Sequence, residues 1–221
     1  MFDVVLLMAG QGLRSGLPMN KVFYPVHGKP IYQYALDTFL AIPDCHQVVL
    51  VIREEDRMRL PKYDDSRVVI TTGGLLRQDS VAKGVACCQE SIVLIHDAAR
   101  ANIKKAYILA IYQVLSSYQA AILAVPVTDT IKRQQDGFVR ETLKRDELYA
   151  AQTPQGVMRE LFLACYTQAT KEHYIASDDV ELIEKYAGIP AKIILGSSDN
   201  IKVTTPLDVV LLEQLLKEGI K

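Results

Sequence analysis

The sequence lacks an excess of charge of either sign. Its 25 lysine and arginine residues nearly balance 26 aspartate and glutamate residues, so the formal net charge is −1 at pH 7. No broad basic field is therefore present to hold nucleic acid, and any anion has to be bound by a few local cations. These features favour a small charged ligand over a nucleic acid partner.

The sequence also lacks the features of disulfide-linked, exported and membrane proteins. Its cysteines, Cys45, Cys87, Cys88 and Cys165, show no paired spacing for a metal or a redox pair, and the first residues carry no export signal. Charged residues interrupt each apolar run well before the length that crosses a bilayer. We therefore expect a soluble, cytoplasmic protein that does not bind a membrane.

The sequence does contain enough apolar residues for a sizeable core. At 221 residues and 49% hydrophobic content, it is expected to form one domain over residues 1–221. Strand-like apolar runs alternate with helical patterns, and the runs lie at residues 4–8, 48–52, 68–71, 91–95, 120–125 and 191–195. This alternation predicts an α/β, Rossmann-like three-layer fold whose mostly parallel twisted sheet binds ligands at the carboxyl ends of its strands.

One segment departs from this alternation. Asp136-Gly137 is a hairpin signal between two short strand-like pieces at residues 130–133 and 138–143. An isolated hairpin buries too little surface to be stable alone, and a second copy of the chain is the simplest support. We therefore predict a projecting β-arm at about residues 130–150 that joins two chains in a homodimer.

The most informative stretch follows the first predicted strand. Gly10 and Gly12 let the backbone come close to a ligand and present bare N–H groups to an anion. Arg14 can grip phosphate oxygens with its planar fork, and Lys21 supplies a compact point charge. Together these groups fit a triphosphate that is being cleaved.

Three other interpretations of this loop compete with phosphate binding. A dinucleotide-binding fingerprint needs a third glycine where Ser15 stands, and an ATPase-type phosphate loop needs a Gly-Lys-Ser/Thr ending that is missing. A plain glycine turn with exposed cations stays open on glycine spacing alone. Only the spacing of Arg14 and Lys21 favours phosphate binding.

Two later strand ends also carry candidate groups. Gly73-Gly74 and Ser80 could read the edge of a base through backbone and hydroxyl groups, and Asp97 is placed to hold magnesium. The alternatives are an ordinary Gly-Gly turn and a capping acid, and for His96 a structural role is favoured. The acids Asp178 and Asp179 are interpreted as compensating a helix dipole rather than binding metal.

These blocks, in this order, resemble a known family. The glycine loop with Arg14 and Lys21 is similar to that of the sugar-phosphate nucleotidyltransferases, and later segments resemble the 2-C-methyl-D-erythritol 4-phosphate cytidylyltransferase family. The segments are Gly73-Gly74 with Arg77 and Ser80, His96-Asp97-Ala98-Ala99-Arg100, Pro126-Val127-Thr128-Asp129-Thr130-Ile131-Lys132, Thr153-Pro154-Gln155 and Asn200-Ile201-Lys202-Val203-Thr204. One departure is Ala101, where the family usually has proline.

The resemblance implies transfer of CMP from CTP to 2-C-methyl-D-erythritol 4-phosphate with release of pyrophosphate. It implies catalytic roles for Arg14, Lys21 and Lys202 and a magnesium ion on Asp97. It implies nucleotide binding by Ala9, Gly10, Gly12, Gly74, Arg77, Ser80 and Ala98. It implies that Arg100, Thr130, Arg145 and Asp199 bind the sugar-alcohol phosphate, with Arg145 reaching into the site of the second chain.

Other functions stay open at this stage. Ribitol-5-phosphate cytidylyltransferases share most of these blocks, and the segment from Thr128 to Lys132 favours the methylerythritol branch only moderately. A nucleotide-binding regulator without turnover and a dinucleotide-dependent oxidoreductase belong to different classes, and Ser15 argues against the second. Pyrophosphate release with each acceptor would separate these hypotheses.

Overall fold

A computed structural model describes residues 1–10 and 19–218 of the chain. The strands are β1 (Phe2–Leu7), β2 (Pro25–Val26), β3 (Lys29–Pro30), β4 (Cys45–Ile52), β5 (Val68–Thr72), β6 (Ile92–Asp97), β7 (Ala120–Pro126), β8 (Lys132–Gln135), β9 (Phe138–Thr142), β10 (Tyr149–Met158) and β11 (Lys192–Leu195). The α-helices are α1 (Ile31–Leu40), α2 (Arg77–Ala86), α3 (Lys105–Val114), α4 (Arg159–Lys171), α5 (Val180–Ala187) and α6 (Pro206–Glu218). Short 3-10 helices lie at Lys21–Phe23, Glu54–Arg59 and Arg145–Glu147.

In the described part of the chain, the central sheet has seven strands in the order β11-β7-β10-β6-β1-β4-β5. Strand β1 pairs in parallel with β4 and β6, β4 with β5, and β7 with β11, whereas β10 runs antiparallel to both of its neighbours. The predicted α/β fold with a mostly parallel sheet is thus confirmed. Because β1, β4 and β6 are parallel neighbours, their carboxyl ends meet at one edge of the sheet.

Helices cover both faces of the sheet. Successive side chains of each strand point to opposite faces, so both faces carry apolar side chains that need to be buried. From β1 and its extension, Val4, Leu6 and Met8 join one buried cluster that includes residues of α1 and α3. Val5 joins a second buried cluster on the opposite face, which includes residues of α2, α4 and α5. The near-continuous apolar runs of β1 and β4 follow from burial on both faces. The assignment of residues 1–221 to one domain stays a prediction.

Strand β10 is not among the strand-like runs predicted from the sequence, where Thr153-Pro154-Gln155 is named only as a segment of the family resemblance. A proline in the middle of a run argues against a central strand, because it cannot donate a ladder hydrogen bond. Here the register with β7 is interrupted between Ala151 and Gln155, and Pro154 falls in that interruption. Because the register is irregular there, the strand pairing does not require a hydrogen bond from the backbone nitrogen of Pro154.

The last helix faces the core with other residues than expected. The sequence places Leu207, Val210, Leu211 and Leu215 in this helix, and we expect them to close it onto the core. The first three are instead 75%, 54% and 47% exposed, and the buried residues are Val209 and Leu212. This helix carries apolar residues on every side, so the hydrophobic periodicity alone does not show which side faces the core. Contact with a small cluster that contains Val26, Ile31, Ala101 and Val203 decides it.

The predicted hairpin is present in β8 and β9. Asp136 and Gly137 have φ values of 53° and 83°, which suit a two-residue hairpin turn. Every residue of both strands is exposed. The role of this arm in joining two chains stays a prediction. Within residues 1–10 and 19–218, none of the helices has the length and apolarity needed to cross a bilayer.

Candidate active site

A cavity of about 370 Å³ lies at the edge where the parallel strands end. Leu7 at the end of β1 is in register with Val51 of β4 and with Asp97 of β6. Backbone hydrogen bonds extend this edge, because Met8 donates to the Val51 carbonyl at 2.8 Å and Ala98 donates to the Leu7 carbonyl at 3.1 Å. The segments that follow these strands therefore share one hollow.

Groups predicted from separate parts of the sequence face this cavity. Its lining includes Ala9, Gly10, Lys21, Gly74, Arg77, Ser80, Asp97 and Lys202. Gly12 and Arg14, which the sequence analysis also assigned to the site, fall within residues 11–18 and lie outside the described residues. The structure thus brings a lysine after the first strand, a carboxylate at the end of β6 and a lysine before α6 to one place.

Lys21 is positioned by its neighbour Asn20, which the sequence analysis did not single out. The Asn20 side chain is buried, and its Nδ2 donates to the Met8 carbonyl and to Asp56 Oδ2, both at 3.0 Å. Its Oδ1 also accepts the Val22 N–H at 3.4 Å, at the start of the 3-10 helix. Asn20 therefore ties the segment carrying Lys21 to the end of β1, and only its place directly before Lys21 could have indicated this role.

The second glycine loop is closely packed around Ser80. A Cβ atom at Gly73 would lie 2.7 Å from both Ala9 Cβ and Ser80 Oγ, and one at Gly74 would lie 2.3 Å from Asp79 Cβ. Ser80 Oγ accepts the Gly74 N–H at 3.0 Å and lies 3.2 Å from the Leu76 carbonyl, to which it donates. Both glycines are thus required by close approach, and Ser80 holds the shape of the loop.

Asp97 is the centre of the charge arrangement. Its Oδ2 lies 2.7 Å from Lys202 Nζ, and its Oδ1 lies 3.4 Å from Arg77 Nη2. Burial by itself raises the pKa of Asp97, but Arg77 and Lys202 outweigh burial and hold that pKa below its usual range. Asp97 is therefore ionised at neutral pH and supplies carboxylate oxygens to the cavity.

Arg77 also binds Asp179, and this corrects the interpretation of the acids before α5. Asp178 does act at the helix end, because its Oδ1 accepts the Glu181 N–H at 3.0 Å. Asp179 instead accepts from Arg77 Nη1 at 2.7 Å and Nη2 at 2.8 Å. Since these residues are 102 positions apart, no local sequence pattern could indicate the pair.

His96 is a buried structural residue, as its favoured interpretation held. Burial lowers the pKa of His96 to about 4, so the ring is neutral at pH 7. Its Nε2 lies 3.1 Å from the Arg100 carbonyl, which only accepts, so Nε2 carries the proton. Its Nδ1 then accepts from Thr153 Oγ1 at 3.0 Å, and Thr153 Oγ1 accepts the Asp97 N–H at 3.1 Å. This one-directional chain fixes the backbone at Asp97.

Five other residues that were assigned to the site do not line the cavity. Ala98 is buried beside Ala99, which does line it. Arg100 donates from Nη1 to the Asn200 carbonyl at 2.7 Å, and Asp199 is paired with Lys104. Thr130 and Arg145 are exposed on the arm, where Arg145 Nη1 donates to the Thr128 carbonyl at 3.0 Å. Their roles in binding stay predictions.

Comparison with known proteins agrees with the resemblance seen in the sequence. The model of the 2-C-methyl-D-erythritol 4-phosphate cytidylyltransferase family matches residues 2–218. Proteins of that name from Bacillus velezensis and Clostridioides difficile are each 36% identical, covering 98% of this chain and 96% and 94% of their own lengths. The crystal structure of 4-diphosphocytidyl-2C-methyl-D-erythritol synthase from Anaerococcus prevotii is 28% identical, has a TM-score of 0.86 and covers 98% of both chains. This chain belongs to the 2-C-methyl-D-erythritol 4-phosphate cytidylyltransferase family.

Proposed function

We propose that this chain transfers CMP from CTP to the phosphate of 2-C-methyl-D-erythritol 4-phosphate. A phosphate oxygen of the acceptor attacks the α-phosphorus of CTP, the bond to the bridging oxygen breaks, and pyrophosphate leaves. The product is 4-diphosphocytidyl-2-C-methyl-D-erythritol, a precursor in non-mevalonate isoprenoid synthesis. The family match over residues 2–218 supports the reaction. The convergence of Lys21, Asp97 and Lys202 on one cavity is the structural observation that carries it.

The reaction needs no protein nucleophile, because the acceptor phosphate already attacks well. The protein has to hold the two phosphates in line and neutralise the charge that builds on the α-phosphate and on pyrophosphate. Lys21 and Lys202 reach the cavity from segments 181 positions apart in the sequence, and both supply positive charge to it. Arg14 is proposed as a third cation. The glycine loop at Gly74 and Ser80 is proposed to bind the cytosine base.

Asp97 is the proposed magnesium ligand. Among the described residues, no group of three His, Cys, Asp or Glu side chains is placed to hold a metal ion by itself. Magnesium suits such a site, since it takes one or two carboxylates and completes its shell with substrate phosphates and water. When bound, magnesium would supply additional neutralisation of phosphate charge. Asp97, ionised and facing the cavity, fits this role.

The acceptor and the second chain are further parts of the proposal. Arg100 donates to the carbonyl of Asn200, which lies between Asp199 and Lys202 in the sequence. We assign the acceptor to this side of the cavity, completed by Thr130 and Arg145 of a second chain. The fully exposed strands β8 and β9 support a homodimer through the arm. We also propose the cytoplasm as the location, which the four free cysteines favour.

Pyrophosphate release tests this function. The chain is given CTP, ATP, GTP or UTP with 2-C-methyl-D-erythritol 4-phosphate or ribitol 5-phosphate, with and without magnesium. We expect rapid release only with CTP, the methylerythritol acceptor and magnesium. Faster release with ribitol 5-phosphate would overturn the acceptor, and CTP binding without release would support the regulator instead.

A variant at the metal ligand sharpens the test. Asp97→Asn keeps the shape of the side chain but removes its charge, so turnover should fall on the order of a hundredfold. Asp64→Asn is the control, because Asp64 is exposed and does not line the cavity. Equal turnover in Asp97→Asn and the control would contradict the assignment of magnesium to Asp97.

A further inference from the structure

The pair between Arg77 and Asp179 has no part in the reaction as described above. The Asp179 side chain is 2% exposed, and both of its oxygens accept from the Arg77 guanidinium, at 2.7 and 2.8 Å. The backbone N–H of Asp179 donates to Gln155 Oε1 at 2.9 Å. A carboxylate held at its backbone and bonded by both oxygens fixes the guanidinium in one orientation.

That orientation matters because Arg77 also faces Asp97. Its Nη2 lies 2.8 Å from Asp179 but 3.4 Å from Asp97 Oδ1, so the shorter contact is with Asp179. The other oxygen of Asp97 is bound by Lys202 at 2.7 Å. A closer approach of Arg77 would therefore engage both oxygens of Asp97 with protein cations.

We propose that Asp179 is a positioning residue that draws Arg77 away from Asp97 and leaves one oxygen of Asp97 available to a divalent cation. Without the Asp179 charge, the guanidinium turns to the remaining carboxylate, because a planar fork binds a carboxylate strongly with two hydrogen bonds. A metal ion then has to displace the Arg77 guanidinium from Asp97. The proposal rests on the proposed function in one respect, which is the divalent cation at Asp97.

The test replaces Asp179 by asparagine in the full-length chain, which keeps the size of the side chain. Mn²⁺ binding in the presence of CTP is measured by electron paramagnetic resonance, and the magnesium concentration for half-maximal pyrophosphate release is measured separately. Asp179→Asn should weaken Mn²⁺ binding and raise the half-maximal magnesium concentration, each about tenfold. Turnover at saturating magnesium should change little.

Asp178→Asn is the matched control for this variant. The two acids are adjacent, but Asp178 accepts the Glu181 N–H and belongs to the end of α5 rather than to the Arg77 pair. Its replacement should leave Mn²⁺ binding and the magnesium dependence unchanged. An equal loss of Mn²⁺ binding in both variants would overturn the positioning role.

The double variant Arg77→Gln with Asp179→Asn separates positioning from general stability. It removes both charges of the pair and leaves no buried charge unpaired. Mn²⁺ binding to this variant and to the unmodified chain is compared without CTP, because Arg77 is itself expected to bind the nucleotide. Since no guanidinium competes for Asp97, Mn²⁺ should bind the double variant at least as well as the unmodified chain. This comparison stands even if the single variant folds poorly, and weaker Mn²⁺ binding in the double variant would overturn the proposal.

Two failures remain distinguishable. If the unmodified chain releases pyrophosphate without any divalent cation, the proposed metal site is wrong and the positioning role falls with it. If the unmodified chain depends on magnesium but Asp179→Asn does not change that dependence, the positioning role alone is wrong and the proposed function stands.

Discussion

The cavity edge and the arm both carry many charged side chains, but they pair them in different surroundings. At the cavity, Asp97 and Asp179 have side chains only 12% and 2% exposed, and each contacts Arg77. On the arm, Arg133 and Glu141 form a pair in which the side chains are 60% and 49% exposed. Exposed pairs contribute little to stability, whereas removing one partner of a buried pair is costly.

The difference indicates what each region needs. One chain alone arranges the charges of the cavity, because strands, loops and buried hydrogen bonds hold Asn20, Asp97 and Arg77. The arm has no buried side chain of its own in β8 and β9, so its position depends on whatever it contacts. Substitutions in each region test this contrast.

The largest expected effect is at Lys21. Lys21→Ala removes a cation from the lining of the cavity where the phosphates are proposed to bind, so turnover measured by pyrophosphate release should fall on the order of a hundredfold or more. The free energy of unfolding should change far less, because Lys21 is only half-buried and lies at the cavity rather than in the core. Lys62→Ala, which changes an exposed lysine away from the cavity, serves as the control. Unchanged turnover in Lys21→Ala would show that the assignment is wrong.

Substitutions at two glycines test close packing against the sheet and backbone conformation on the arm. A Cβ at Gly84 in α2 would lie 2.5 Å from Val5 Cγ1 and 2.8 Å from Val51 Cγ2, so Gly84→Ala should cost about 1–3 kcal/mol of unfolding free energy. Gly137 has a positive φ and no atom within 4 Å of a built Cβ. Gly137→Ala should strain only the turn, by about 1 kcal/mol. Urea unfolding followed by circular dichroism measures both, and a neutral Gly84→Ala would contradict the close packing.

A smaller effect concerns the segment after Lys202. Asp208 Oδ2 accepts the N–H groups of Thr204 and Thr205 at 2.7 Å each. Burial raises the pKa of Asp208, but these hydrogen bonds outweigh it and hold that pKa below its usual range. Because folding lowers this pKa, the stabilisation is present at neutral pH and is lost as the pH falls below the unfolded value of about 4.

Asp208→Asn should therefore lower the free energy of unfolding by about 1 kcal/mol at pH 7, and the difference from the unmodified chain should shrink in acid. Urea unfolding over a pH series measures it. The exposed acid Asp64, changed to asparagine, should show no comparable difference at pH 7. If the difference in unfolding free energy grew in acid, the ionised carboxylate of Asp208 would not be the source of the stabilisation.

The smallest effect on stability is expected on the arm. Phe138 is 79% exposed, so Phe138→Ser should change the free energy of unfolding by less than about 0.5 kcal/mol. If the arm joins two chains, the same change should weaken self-association, which sedimentation equilibrium measures. Met58→Ser alters another apolar residue, 93% exposed and outside the arm, and should leave association unchanged. Equal association in both variants would argue against the arm as the interface.

Much of the site followed from the sequence because it lies in short local patterns. Lys21, Gly74, Asp97 and Lys202 each lie at the end of an apolar run or before a helix, and Ser80 lies near the start of α2. Parallel strands bring their carboxyl ends to one edge. Such residues can be assigned before any distance is known. The hairpin at Asp136-Gly137 was equally predictable, because its turn chemistry is local.

Other features needed long-range contacts. The role of Asn20 follows from its hydrogen bonds to Met8 and Asp56. Helix α6 has apolar residues on every side, so only contact with the small cluster around Val26 and Val203 determines that Val209 and Leu212 are buried. Strand β10 was hidden by Pro154, whose missing N–H is tolerated only because the register with β7 breaks there.

The sequence by itself determined the alternation of strands and helices, the two glycine loops and the residue types suited to binding phosphate, because backbone conformation, hydrophobic period and side-chain chemistry are local properties. Only the tertiary structure decided which charges neutralise one another. Asp179 looked like an ordinary helix acid, and it became the partner of Arg77 because folding brings together residues 102 positions apart and buries the Asp179 carboxylate. Pairing of buried charge depends on distance in space, which no local pattern encodes.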